Sequence, residues 1–151
     1  MYKKILAPLD GSELAERALE HVRAVTKGSR AAKVILLQVV SWPAHPAHTL
    51  SDELIRSESE KAEACAKDYL AKVADSLKRD GIAVETAIVR GGPAEEILDY
   101  AKKNEVDLII MSTHGRSGVS RWVFGSVADR VVHHSATPVL IVTPPGFRSG
   151  E

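Results

Sequence analysis

The stretch Ser112-Thr113-His114-Gly115-Arg116-Ser117-Gly118, followed after Val119 to Phe124 by Gly125-Ser126, carries residue types suited to holding a phosphate. Gly115 and Gly118 let backbone N–H groups approach an anion, and Ser117 and Ser126 add hydroxyl donors. A helix opening at Gly125-Ser126 would add unpaired N–H groups and the positive end of its dipole. Arg116 and Arg121 are the natural local cations for a polyphosphate. In the plainer alternative, Gly115 and Gly118 only turn the chain and Gly125 only permits close packing. The position of the loop, after a buried strand and before a helix, favours the phosphate reading. It is neither a Walker A motif, lacking the Gly-Lys-Ser/Thr ending, nor a G-x-G-x-x-G fingerprint.

Other chemistry is thinner. His114 has no carboxylate beside it in the sequence and reads as a hydrogen-bonding or stacking residue rather than a general base. His45, His48 and Asp52 lack a convincing further metal ligand, and His133-His134 suit the negative end of a helix dipole. There is no G-x-S-x-G elbow or H-E-x-x-H pair, and Asp10-Gly11-Ser12 offers no base for a serine nucleophile. Asp10 fits an Asx-type turn there.

Five short apolar runs must position these residues: Ile5 to Pro8, Val34 to Leu37, Val84 to Val89, Leu108 to Met111 and Val139 to Val142. Continuous rather than alternating hydrophobicity predicts strands buried on both faces, the mark of a parallel sheet between helices. One helix is expected from Ser12 to Gly28, capped by Ser12, with Leu14, Ala18, Leu19, Val22 and Val25 inward. A second starts at Ser51 and ends near Gly81, with Leu54, Ala62, Cys65, Ala66, Tyr69, Leu70, Val73 and Leu77 on one stripe, so that Cys65 is expected in the core. A third opens at Pro93 with Glu95 and Glu96 in its first turn, and a fourth runs from about Gly125 to His134. This β-α alternation predicts a doubly wound five-stranded parallel α/β sheet, Rossmann-like, with helices on both faces. Ligands of such sheets bind beyond the strand carboxyl ends, here Pro8 to Ser12, Val39 to Ser41, Arg90 to Gly92 and Ser112 to Ser126. Ser41 to Ser51 is the one loop long enough for a lid or partner surface, and Pro144 to Glu151 reads as a frayed tail.

With 151 residues, 44% of them apolar and 26% charged, the chain fits a single domain with a packed core, residues 1–151. Twenty basic and twenty acidic residues give a formal net charge of +0, which disfavours nucleic acid and anionic membranes as partners. The lone Cys65 and the absence of a long apolar segment near Met1 lead us to expect a cytoplasmic protein without a membrane anchor.

From Tyr2-Lys3-Lys4-Ile5-Leu6-Ala7-Pro8-Leu9-Asp10-Gly11-Ser12 through Thr137-Pro138-Val139-Leu140-Ile141-Val142 the sequence resembles the universal stress proteins. Their ATP-binding members carry G-x2-G-x9-G-S/T; here the frame is Ser112-x2-Gly115-x9-Gly125-Ser126, with serine replacing the first glycine. A glycine needed there for positive φ or for room beside the ribose would make Ser112 a weakness, whereas a β-like backbone would tolerate it. By the resemblance, Asp10 and the backbone of Val39 sit at adenine with Pro8 and Leu9 packing nearby. Met111, Ser112 and His114 line the ribose side, and Gly115, Arg116, Ser117, Gly118, Gly125, Ser126 and Val127 surround the phosphates. The resemblance further implies ATP, with Mg²⁺ or Mn²⁺ carried by its phosphates, a stress-response sensor or regulator, and a homodimer formed through Pro138 to Val142. A slow ATPase or phosphotransferase, an AMP- or cyclic-nucleotide-binding module, and a nucleotide-free interaction module are the alternatives.

Overall fold

The computed structural model describes residues 2–29, 32–41, 51–113 and 125–144. Along the chain run β1 (Lys4–Pro8), α1 (Glu13–Glu16), α2 (Ala18–Lys27), β2 (Lys33–Val40), α3 (Asp52–Arg79), β3 (Ala83–Arg90), α4 (Pro93–Lys103), β4 (Leu108–Ser112), α5 (Ser126–His134) and β5 (Val139–Val142). The strands form one sheet in the order β3-β2-β1-β4-β5, every neighbouring pair parallel. Among the described residues no helix is long and apolar enough to cross a membrane.

The period of two along each strand sorts its side chains onto two separate cores. Ile5, Ala7, Val34, Leu36, Leu108 and Ile110 pack beneath α1, α2 and α3, against Leu19, Val22, Leu70 and Leu77. Leu6, Ile35, Leu37, Ile109 and Met111 pack beneath α4 and α5, against Ile97, Ala101 and Val131. Helices after β1 and β2 therefore cover one face and those after β3 and β4 the other, as right-handed crossovers require. Continuous apolar runs are read correctly in the inner strands. The run in β3, by contrast, is an edge strand and largely exposed or half-exposed, which leaves room for Glu85, Thr86 and Arg90.

Two helix expectations need correction. Cys65 is exposed, not core. The buried stripe of α3 is Ala66, Leu70, Val73, Ala74 and Leu77, and Cys65 lies one residue, about 100° of helical rotation, away from it. Leu54 and Ala62 are exposed as well, because the first turns of α3 lie beyond the core. The segment expected as one helix from Ser12 to Gly28 keeps helical backbone through Arg17, at φ −59° and ψ −28°, and only its hydrogen bonding changes there. There the Ser112 hydroxyl donates to the Leu14 carbonyl at 2.6 Å, and the Arg17 N–H reaches the same oxygen in a tighter i−3 turn at 3.4 Å. A side chain that bonds to a helix carbonyl perturbs the ladder locally in this way.

Two polar ties hold the lower rim. Arg23 of α2 donates to Asp80 at 2.7 Å and to Ser76 at 2.9 Å, joining α2 to the end of α3. Asp107 accepts the backbone N–H groups of Lys3 and Lys4 at 2.9 and 2.8 Å, joining the starts of β1 and β4. Those two N–H groups, helped by the charges of Lys3 and Lys4, hold the Asp107 carboxyl below its ordinary pKa.

Two outcomes follow for stability. Leu36 is fully buried between β1 and β3, so Leu36→Ala is expected to cost about 3 kcal/mol, read from urea unfolding midpoints. Because the folded-state pKa of Asp107 is depressed, its contribution is complete above the unfolded value of about 4 and is lost as pH falls through the folded one. Asp107→Asn should therefore lower the urea midpoint at pH 7 and converge on the unsubstituted protein towards pH 2.

Candidate functional site

β1 and β4 lie side by side, but the chain leaves them towards opposite faces, so a cleft opens beyond their carboxyl ends. Leu9 extends β1 by donating its N–H to Leu37 at 2.8 Å, which delivers Asp10 to the rim of that cleft. Gly11 has φ +85°, where a side chain is strained, and it lets the chain double back at once. Asp10 Oδ1 accepts from the Ser12 N–H at 2.9 Å and the Ser12 hydroxyl at 2.5 Å, closing an Asx turn. Ser12 Oγ in turn accepts from the Ala15 N–H at 3.1 Å and caps α1. Nearby on α3, burial and then the Glu16 carboxylate push the Tyr69 phenol above its ordinary pKa, so it stays protonated.

Ser112 ends β4 in extended backbone; Glu105 is the one non-glycine described residue with positive φ. Strand alternation puts Met111 on the α4/α5 side, while the Ser112 hydroxyl is turned to Leu14 on the other. Thr113 follows, 4% exposed, with its N–H on the Val142 carbonyl at 3.0 Å and its own carbonyl accepting the Gly125 N–H at 2.9 Å. Gly125 caps α5 without a side-chain hydrogen bond, at φ −55° and ψ 148°. The first-turn N–H groups of Ser126, Val127 and Ala128 thus have no intrahelical acceptor.

The starts of α4 and α5, both at this edge, differ in charge. α4 begins at Pro93 with Glu95 and Glu96 in its first turn, and Glu95 pairs with Arg130 of α5. α5 carries only Asp129 in its first turn. Its positive end is therefore less neutralised by its own sequence than that of α4.

Between these parts lies a cavity of about 260 Å³. Every predicted site residue within the described chain lines it: Pro8, Leu9, Asp10, Val39, Met111, Ser112, Gly125, Ser126 and Val127. His114, Gly115, Arg116, Ser117 and Gly118 lie outside the described residues, as does most of the loop expected as a lid. Sequence reasoning missed Ala15, Leu37, Pro93, Ile97, Thr113 and Ala128, which also line the cavity. Thr113 and Ala128 adjoin predicted positions and were within reach. Pro93 and Ile97 carried no signal, because sequence does not reveal which turn of α4 faces the cleft. Among the described residues no group of three or more His, Cys, Asp or Glu stands close enough to hold a metal ion.

A doubly wound parallel sheet with an apolar cavity and a helix N-terminus at its switch point defines a Rossmann-like domain. The chain belongs to the universal stress protein family, whose profile matches residues 1–143. Universal stress protein MJ0531 of Methanocaldococcus jannaschii is 35% identical over 150 residues, covering 96% of this chain and 84% of that protein. The solved structure of MJ0577, from the same organism, superposes with a TM-score of 0.86 at 38% identity, over 95% of this chain and 97% of the other. A universal stress protein solved in complex with cAMP shares the fold, with a TM-score of 0.70 at 24% identity over 94% and 97% of the two chains.

Gly11→Ala places a Cβ in the left-handed region and is expected to destabilise the protein by about 1 kcal/mol. Urea unfolding midpoints of the two proteins measure it.

Proposed function

We propose that this cleft binds an adenine nucleotide, with ATP the leading ligand, and that the protein acts in the cytoplasm as a nucleotide-dependent regulator of the stress response. One observation carries the reading: an apolar cavity meets the uncapped start of α5 at the switch point of the sheet. The cavity of about 260 Å³ suits the nucleoside, its Val39, Ile97 and Met111 side chains covering the base and Asp10 accepting from an exocyclic amine. The phosphates lie along Gly125, Ser126 and Val127, where helix N–H groups and the Ser126 hydroxyl donate to them. His114, Gly115, Arg116, Ser117 and Gly118 complete the phosphate side in this reading, on the strength of the family frame. Mg²⁺ or Mn²⁺ arrives with the phosphates, since no dedicated cluster of ligands is evident among the described residues. A homodimer forms through Pro138 to Val142, where β5 is the edge of the sheet.

In this reading the nucleotide is held rather than rapidly consumed, and at most slow hydrolysis is expected. Sustained multiple turnovers of ATP by the purified protein alone would replace the regulator with an ATPase or phosphotransferase. A second reading, a mono- or cyclic nucleotide as the resident ligand, is supported by the relative solved with cAMP.

Calorimetric titration with ATP, ADP, AMP and cyclic AMP separates these readings. ATP is expected to bind most tightly, and Gly125→Val, which adds bulk beside the α5 N-terminus, to weaken it at least about tenfold, roughly 1.4 kcal/mol, with the circular dichroism spectrum unchanged. Tightest binding of cyclic AMP would favour the second reading, and unchanged ATP affinity in Gly125→Val would move the phosphates elsewhere.

A further inference from the structure

We propose that Ser112, standing where the family frame has glycine, is a positioning residue that fastens α1 to the end of β4 and so holds Asp10 in place for base recognition. The inference rests on the adenine-site reading above. It begins with a hydrogen bond that a glycine cannot make: Ser112 Oγ donates to the Leu14 carbonyl at 2.6 Å, with the Ala15 carbonyl at 3.5 Å, between residues 98 positions apart. The bond is partly buried and ties the Leu14 carbonyl of α1 to the end of β4.

From Leu14 the connection runs back to the cavity through polar contacts alone. Ser12 Oγ accepts from the Ala15 N–H, and both the hydroxyl and the N–H of Ser12 donate to Asp10 Oδ1. The Asp10 carboxylate is thus oriented by Ser12, Ser12 by the first turn of α1, and that turn by Ser112. Ala15, from the same turn, also lines the cavity. The phosphate side is anchored differently, by the Thr113 carbonyl on the Gly125 N–H, a main-chain contact independent of the Ser112 side chain. Loss of the hydroxyl should therefore act on the base first and on the phosphates less.

The test compares full-length Ser112→Ala and Ser112→Gly, which lack the hydroxyl, with Ser112→Thr, which keeps it. Calorimetry with adenosine, guanosine and tripolyphosphate reads the site, and amide hydrogen exchange at residues 14–18 reads the fastening. Removing one neutral hydrogen bond is expected to lower adenosine affinity about fivefold, to shrink the preference for adenosine over guanosine, and to weaken tripolyphosphate less. Exchange at residues 14–18 should speed up in the same two variants, and Ser112→Thr should restore both readouts. Folded Ala and Gly variants that keep the adenosine preference, alongside unmodified protein that binds adenosine, overturn the positioning role alone. Failure of the unmodified protein to bind adenosine or ATP overturns the nucleotide reading and the positioning role with it.

Discussion

Burial of both faces of a parallel sheet is the constraint on which the rest of this molecule depends. Parallel strands cannot be joined by tight turns, so each connection must cross over a face, and helices come to cover both. With β1 at the centre, the first two crossovers take one face and the last two the other. The two sets part where β1 meets β4. The cleft there is a consequence of chain direction rather than of any single residue, and loops from β1 and β4 have nowhere else to converge. Hydrophobic burial that stabilises the fold thus also fixes where a ligand can enter.

Legibility from sequence followed the same logic. The inner strands β1, β2 and β4 carry unbroken apolar runs because both of their faces are covered, and those runs located them. β3 has a similar run, yet an edge position allows polar residues between the apolar ones, and sequence does not say which strand ends at an edge. Cys65 was misread because helical periodicity over a long helix admits more than one stripe, and only packing decides which one is buried. The tie from Ser112 to the Leu14 carbonyl was invisible for a different reason: its two partners lie far apart in sequence.

The site divides in the same manner. Asp10 was legible because it follows β1 at the predicted ligand edge, Val39 because it lies at the carboxyl end of β2, and Gly125-Ser126 because a glycine-serine pair opens a helix there. Ile97 and Pro93 close the far wall from α4, whose rotation about its axis is a tertiary property. The question raised by Ser112 has a geometric answer for the backbone: position 112 is extended strand, so glycine's freedom of φ is not used there.

Thr113 joins two parts of the molecule that function would otherwise keep separate. Its N–H is held by Val142 of the edge strand, and its carbonyl holds Gly125 at the head of α5. The main chain of a single residue thus spans from the margin of the sheet to the helix start. Displacement of either neighbour strains the other. Whatever free energy couples β5 to the start of α5 through these two bonds acts equally in both directions.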